Sequence, residues 1–368
     1  MSTSSLLTGF FILLLFIFEL NNKHMATGKK MVRIILLLLL LVGAFAAWRL
    51  FGSNTGFSEN KKSFYIKTGS NFNEVMEGLT TQGILKNPGT FKWVASKLDY
   101  DKKVKAGKYV IEKGESIFSI LKKLRSGRQT AVNLVINKLR TKEDLARKIG
   151  ANFECDSATF INLLNNEDSL KKFRLDTNTV MTAIIPNTYS ILWNTSAKGI
   201  FKKLYEEQEN FWNEERKNKA TGLNLTPIQA YTLASIVEEE TNAEADKGKI
   251  ASVYLNRLET GMRLGADPTV KFAMKDFGLK RIYFKHLQYA SPYNTYQHSG
   301  LPPGPICTPS PKTIDAVLNS PSTSYLYFVA KPDLRGYSNF ATTYAEHLRF
   351  AKQYQLALDS LMIAKEGK

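Results

Sequence analysis

Cysteine and histidine are scarce in this sequence of 368 residues, which has two cysteines and four histidines. Cys155 and Cys307 belong to no paired-cysteine motif, so each is interpreted as a small buried hydrophobe, and sequence alone does not decide whether they form a disulfide. No two histidines flank a glutamate at helical spacing, and no serine or cysteine lies in a nucleophile-elbow motif. The sequence therefore predicts no metal site and leaves the carboxylates as catalytic candidates.

Acidic residues are also in short supply. Asp and Glu number 33 against 50 for Lys and Arg, a formal net charge of +17 that favours polyanionic partners. Nucleic acid, a membrane surface and an anionic cell-wall polymer all fit this charge. A composition of 43% hydrophobic and 23% charged residues is typical of a folded protein, and the length allows a membrane anchor and two compact units.

Two apolar stretches lie near the N-terminus, Leu6 to Phe18 and Ile34 to Phe51. The first is short for a membrane span, whereas the second is long enough to cross a bilayer if Arg49 reaches the interface. Basic residues precede the second stretch and no cleavage site of small residues follows Trp48, which predicts a retained single-pass anchor with the rest of the chain outside the cytoplasm.

Two methionines, Met25 and Met31, lie between the apolar stretches. We therefore hypothesise that translation begins at one of them and that residues 1–30 include a non-native extension. Intact mass of the natural protein would contradict this hypothesis if the chain began at Met1.

The remaining pattern predicts an α+β protein. Strand, helix, helix, strand and helix follow one another over a small module, after which helices, short strands and long loops alternate. A single charged helix is expected over 198–219, long loops over 266–311, and a last helix from Thr343 to Ala364. The predicted division is an extension (1–30), a transmembrane helix (31–51), a linker (52–62), a small module (63–128) and a larger catalytic domain (129–368).

The stretch from Thr226 to Thr241, TPIQAYTLASIVEEET, is predicted to be the central helix. A threonine, a proline and a glutamine three residues after the threonine form a capping-box start. At about 100° per residue, Glu240 falls on the apolar stripe, while Glu239 points away and Glu238 lies on the flank. Burial would raise the pKa of Glu240, as a general acid requires, although a surface acidic cluster is the alternative.

Two further segments carry candidate residues. Asp267 in ADPTV is either a second carboxylate of the site or a turn residue that caps its own backbone. YNTYQHSGLPPGPI supplies tyrosines and an asparagine, which suit a sugar-binding groove, but the same segment also fits a proline-stiffened surface loop.

Four motifs in order, LASIVEEET, ASVYLNRLETGMRLGADPTV, YNTYQHSGLPPGPICTPSP and YLYFVA, resemble those of the endolytic murein transglycosylase family (MltG/YceG-like). VKAGKYVIEKGESIFSILKKLRSGR is similar to the LysM-like module of that family, and the likeness covers almost the whole chain after Met31. The family's catalytic glutamate, the second in a pattern like IVEKE, falls on Glu240. Here Glu239 replaces a frequent lysine, a change expected to be tolerated on an outward face, and Asn187 replaces an aspartate, which puts any role of that side chain in doubt.

The resemblance implies cleavage of the bond between N-acetylmuramic acid and N-acetylglucosamine in peptidoglycan, without water, to leave 1,6-anhydro ends. One carboxyl, Glu240, would act as acid and then as base, with no cofactor. The implied location is the inner membrane with the catalytic domain on the periplasmic side, and the implied partners are glycan strands, the membrane and peptidoglycan synthases. The residues expected to position the glycan or Glu240 are Asn256, Asp267, Tyr293, Asn294 and Tyr296.

Three other readings stay open at this point. A non-catalytic scaffold could tether peptidoglycan through the module, with Glu240 as a buried acid. A glycoside hydrolase could use Glu240 with Asp267 and release reducing sugar ends. A nucleic-acid binder explains the charge but not the outward topology, so no nucleic acid is expected.

Overall fold

A computed structural model describes residues 27–366, and its first element is the helix α1 (Thr27–Phe51). Within α1, Met31–Phe51 forms 21 residues of mean hydropathy 2.5, long and apolar enough to cross a membrane. A signal sequence near an N-terminus has the same properties, so α1 fits either role. The predicted first apolar stretch, Leu6 to Phe18, lies outside the described residues.

The described residues form two compact units, one that ends at Thr130 and one that begins at Ala131. In the first, two antiparallel strands pair from Lys61↔Glu112 to Ile66↔Gly107, and three helices cover them. Gly127 ends the last of these helices in the left-handed conformation, with φ 73°, which suits glycine because it has no side chain. The elements are β1 (Lys61–Ile66), α2 (Phe72–Thr81), α3 (Pro88–Lys97), β2 (Gly107–Glu112) and α4 (Ile117–Ser126).

The second unit has two apolar cores. One lies around the antiparallel pair β3–β4, which runs from Val132↔Ile191 to Val135↔Thr188. Its elements are β3 (Val132–Val135), α5 (Lys142–Asn152), α6 (Ser157–Leu164), α7 (Glu167–Lys171), a 3₁₀ turn (Val180–Ala183), β4 (Thr188–Ile191) and α8 (Ala197–Phe211).

The other core surrounds the central helix α10, with α11 and α14 packed on it. A third antiparallel pair, β5–β6, closes this region. The elements are α9 (Glu214–Gly222), α10 (Pro227–Glu240), α11 (Glu244–Glu259), α12 (Asp267–Met274), α13 (Phe284–Leu287), α14 (Pro311–Leu318), β5 (Tyr327–Ala330), β6 (Ser338–Ala341) and α15 (Tyr344–Glu366).

The mixed helix and strand class predicted from the sequence is confirmed, but two predicted elements are wrong. The single charged helix over 198–219 is two helices, because the chain turns at buried Trp212 and Asn213 caps the second through its side chain. The predicted loops over 266–311 contain α12 and α13, since Asp-Pro opens a helix rather than a turn. Both cysteines are free thiols, Cys307 being buried.

Candidate active site

The helix α10 carries three consecutive glutamates to the edge of its core. Its start is fixed by the predicted capping box: the Thr226 hydroxyl accepts from the Gln229 N–H, and the Gln229 amide oxygen accepts from the Thr226 N–H. Every residue from 230 to 237 is buried, so this helix is enclosed on all sides rather than on one stripe. The helix therefore reaches the surface only near its two ends, at the exposed Gln229 in its first turn and at the partly buried glutamates in its last turn.

The prediction that only one of the three carboxylates faces the protein is wrong. The side chain of Glu239, predicted to point outward, is 15% exposed; its carboxylate lies 2.9 Å from both the Lys138 ammonium and the Arg140 guanidinium. Burial alone would raise the pKa of Glu239, but these two cations hold it below its usual value. Glu239 is thus an anion paired with two cations. Helical periodicity did not reveal this pairing, because the cations come from a segment distant in sequence.

Glu238 also has partners. Its carboxylate accepts hydrogen bonds from the hydroxyls of Ser310 and Thr313 on α14, and it lies 3.3 Å from the ammonium of the buried Lys247 on α11. These contacts join the end of α10 to both helices that pack on it. Two of the three glutamates are therefore occupied by structural pairs.

The Glu240 carboxylate has different surroundings. It accepts a hydrogen bond of 2.6 Å from the hydroxyl of Tyr254, a side chain 1% exposed on α11. Burial raises the pKa of Glu240 to about 7, and the negative charge of Asp267 adds to that effect. The Tyr254 hydroxyl and the charges of Arg257 and Lys271 act in the opposite direction. The raised pKa expected from the sequence is therefore present, and Glu240 can hold or release a proton near neutral pH.

Asp267 lies at the first position of α12 and accepts a hydrogen bond of 2.7 Å from the Tyr296 hydroxyl. The buried Thr295 fixes this pair: its hydroxyl accepts from the Ala266 N–H at 2.9 Å and lies 2.9 Å from the Thr269 hydroxyl. The predicted carboxylate and one predicted tyrosine are thus brought together, next to Glu240.

Gly265 precedes this contact with φ +56°. A β-carbon there would lie 3.5 Å from the Tyr296 ring and 3.7 Å from the Arg257 guanidinium, so the turn passes close to both side chains. Because L residues rarely adopt this conformation, glycine is the residue that suits it.

The other predicted positioning residues have structural contacts. Asn256 donates both amide hydrogens to the carbonyls of Thr323 and Tyr325, each at 2.8 Å. Asn294, fully buried, donates to the carbonyls of Leu287 and Tyr289. Since these donors are already used, donation of a hydrogen bond from either amide group to a ligand is at odds with the geometry.

The half-buried Tyr293 packs its ring against Phe272 of α12, with ring centroids 4.8 Å apart. Burial raises the pKa of Tyr293 to about 12, so it stays a neutral phenol. The Asn187 side chain accepts from the Thr188 N–H, and the Asn187 carbonyl accepts from the Ile136 N–H at 2.8 Å.

Sequence reasoning missed the groups that control Glu240. Tyr254, Arg257 and Lys271 are not among the site residues predicted from the sequence. One signal was available: a buried tyrosine needs a partner for its hydroxyl, and Tyr254 follows an acidic helix after a short connection. Within the described residues, no group of three or more His, Cys, Asp or Glu side chains could hold a metal ion.

The family model, the curated relatives and the solved structures that resemble this chain all point to one family. A model of the YceG-like family matches residues 64–353. An endolytic murein transglycosylase from Bacillus subtilis (strain 168) is 30% identical over 326 residues, which cover 81% of this chain and 86% of the relative. One from Streptococcus pneumoniae (strain R6) is 27% identical and is matched over 60% of its own length.

Among solved structures, the crystal structure of a yceG-like protein from Listeria monocytogenes is similar to this fold. The TM-score is 0.52 at 28% sequence identity, and the match covers 79% of this chain and 99% of the Listeria chain.

Proposed function

The chain belongs to the YceG-like family, and from this premise we propose that it is a lytic transglycosylase that cleaves the MurNAc–GlcNAc bond of peptidoglycan within strands. Its curated relatives are named endolytic murein transglycosylases. The observation that carries the proposal is the Glu240 carboxyl, whose pKa of about 7 lets one group serve as acid and then as base.

The proposed reaction begins with Glu240 protonated. The carboxyl donates its proton to the glycosidic oxygen as the bond from that oxygen to the anomeric carbon of MurNAc breaks. The resulting carboxylate then takes the proton of the C6 hydroxyl of the same sugar, whose oxygen bonds to the anomeric carbon. The products are a 1,6-anhydro end and a new GlcNAc hydroxyl, and Glu240 is again protonated.

Tyr254 and Asp267 have opposing roles in this scheme. The Tyr254 hydroxyl bonds the Glu240 carboxylate and so favours the form that acts as base. The charge of Asp267 favours the protonated form that acts as acid. We infer that the two together keep Glu240 near the pKa at which both steps proceed.

A glycoside hydrolase is the second candidate, and one observation favours it: a second carboxylate, Asp267, lies near Glu240. In a hydrolase, Asp267 would activate water or bond the sugar covalently. Its hydrogen bond from Tyr296 and its effect on the pKa of Glu240 support the electrostatic role instead.

The remaining parts of the molecule are assigned by proposal. Tyr293 and Tyr296 are partly exposed rings that suit stacking on sugars, while Asn256 and Asn294 hold the walls around them. Residues 63–128 form a LysM-like glycan-binding module and 129–368 the catalytic domain. We propose that α1 is a retained anchor in the inner membrane, with the catalytic domain on the periplasmic side and peptidoglycan synthases as neighbours.

The proposal is tested with the full chain in detergent and purified peptidoglycan strands, with products identified by mass spectrometry. Fragments with 1,6-anhydro ends are expected from the native protein, and Glu240→Gln should lower their rate of formation at least about a hundredfold. Glu214→Gln, on an exposed carboxyl of α9, is the matched control and should retain the native rate.

Other products would change the assignment. Hydrated reducing ends from the native protein would identify a hydrolase, and strands that remain intact but co-sediment with the protein would identify a scaffold. Equal activity of Glu240→Gln and the native protein would remove Glu240 from the mechanism.

A further inference from the structure

A basic groove lies beside the last turn of α10, on the side of Glu239. Its volume is about 540 Å³, within the usual range for ligand sites. The apolar side chains of Leu139, Ala151 and Phe277 form part of its lining. Four cations also line it: Lys138, Arg140, Arg147 and Lys148.

The acidic groups at this groove are already engaged. Asp144 accepts from the Thr141 N–H and from the Arg147 guanidinium, the latter at 3.2 Å. Glu239 binds Lys138 and Arg140. These two carboxylates pair with three of the four cations, and among the described residues no ion pair is found for Lys148. The side chain of Arg147 is 75% exposed, so the groove presents net positive charge to solvent.

The segment that carries Lys138 and Arg140 is held rigidly next to α10. The Leu139 N–H donates to the Thr308 hydroxyl at 2.9 Å, and the Thr308 N–H donates to the Leu139 carbonyl at 2.8 Å. The segment that contains Thr308 is also tied to α10, because the Ile306 N–H donates to the Ser235 hydroxyl. The cations are therefore preorganised rather than attached to a free loop.

The groove continues toward the site of Glu240. The Arg140 guanidinium lies over the Phe277 ring, 5.1 Å from its centroid, and these two side chains also line a narrow cleft of about 50 Å³. That cleft is bounded by Pro268 and Lys271 of α12, the helix that begins at Asp267. A substrate bound near Glu240 could thus extend a charged branch past Arg140.

We propose that this groove binds the free carboxylates of the peptide stems that branch from peptidoglycan strands. The inference rests on the proposed function. Stems join the lactyl group of MurNAc, next to the bond that is cut, and they combine carboxylates with small apolar side chains, as the groove combines cations with Leu139, Ala151 and Phe277. The contacts of Glu239 show that Lys138 and Arg140 bind a carboxylate in this geometry.

The test compares two strand preparations, both freed of phosphodiester polymers: one with native stems and one whose stem carboxylates are converted to primary amides. For the full chain in detergent, KM should be about tenfold lower on native stems, with kcat unchanged, as expected for one charge-assisted contact. Arg147→Gln/Lys148→Gln should show the same KM on both preparations. Lys217→Gln/Lys219→Gln, which removes two cations from α9, should keep the preference.

A single variant, Lys148→Gln, keeps the test valid if the double variant does not fold, and it should lose about threefold of the preference. Retention of the full preference by Arg147→Gln/Lys148→Gln would overturn the proposal, as would an equal loss on both strands. A third preparation keeps its phosphodiester polymers; a difference between variant and native protein that appears only on these strands would assign the groove to phosphate instead.

The groove is also tested without turnover. Glu240→Gln should co-sediment more strongly with native stems than with amidated ones, and adding Arg147→Gln/Lys148→Gln should abolish that difference. If the native protein cleaves neither preparation while this binding difference persists, the proposed reaction fails and the groove stands. If the native protein cleaves the strands but no binding difference is seen, the proposed reaction stands and the proposal for the groove fails.

Discussion

At the scale of single residues, the chemistry depends on one carboxyl surrounded by groups with opposite effects. Adjacent glutamates in the last turn of α10 differ in acidity: the pKa of Glu239 is lowered, whereas that of Glu240 is raised. The difference comes from partners: Glu239 meets two cations, whereas Glu240 meets a neutral phenol and the nearby charge of Asp267. Identical side chains therefore take different roles because their neighbours differ.

The Tyr254 hydroxyl provides a prediction at this scale. Its hydrogen bond stabilises the Glu240 carboxylate, so Tyr254→Phe should raise the pKa of Glu240 above about 7. Because the first step needs the protonated acid, activity falls as pH rises through that pKa, and the alkaline limb of kcat/KM should move up by roughly half to one pH unit.

Measured pH profiles of kcat/KM for the native protein and Tyr254→Phe check this shift. Tyr337→Phe, at an exposed tyrosine of the second unit, is the control and should leave the limb in place. A limb that stays fixed or moves to lower pH in Tyr254→Phe would show that the hydroxyl does not stabilise the carboxylate.

At the scale of elements, α10 is held by contacts at both ends. The capping box fixes its start. At its last turn, Glu239 contacts the segment that follows β3, and Glu238 contacts α14. These pairs place the carboxyl of Glu240 on a rigid element, which is where a catalytic group can be oriented most accurately.

Glu239→Lys tests this view, because it reverses the charge at a position that is paired with two cations. The substitution would place a third cation against Lys138 and Arg140, and it should destabilise the fold by about 1–2 kcal/mol, less than a fully buried pair because the partners are partly exposed. Adding Lys138→Glu restores an opposite charge and should recover part of the loss.

Chemical denaturation of the two single variants and the double variant measures the coupling between positions 138 and 239. The change in unfolding free energy of the double variant is compared with the sum of the changes of the two single variants. If they are equal, the two positions are not coupled, and the ion pair does not help to hold α10 in place.

At the scale of the whole molecule, two features bear on where the protein works: a net charge of +17 and an apolar helix near the N-terminus. The charge suits an anionic wall polymer, and attraction between solvent-exposed charges weakens as salt screens it. The apolar helix is proposed as an anchor that keeps the catalytic domain near the membrane.

Membrane fractionation tests the anchor. If α1 is retained, the protein should stay in the membrane fraction after alkaline carbonate washing, and protease added outside the membrane should digest residues 52–368. Release of a shorter chain, with an intact mass that corresponds to a start after Phe51, would identify α1 as a removed signal sequence. Digestion only after the membrane is permeabilised would reverse the proposed orientation.

The sequence by itself determined the features that depend on neighbouring residues. The capping box of α10, the apolar length of α1 and the order of the family motifs are local patterns, and each is present in the structure or in the family match. The position of Glu240 at the end of a buried helix also followed from spacing within one segment.

Only the tertiary structure decided which partners surround those residues. Arg140 lies 99 positions from Glu239 in sequence, and Tyr296 lies 29 positions from Asp267, so no periodicity within a helix reveals either contact. Glu239 was expected in solvent and is instead paired with cations, and Asn294, a candidate for glycan contact, is buried with its amide donors used. Burial, hydrogen bonding and pKa depend on groups that folding brings together from distant segments, which is why they could not be predicted from the sequence.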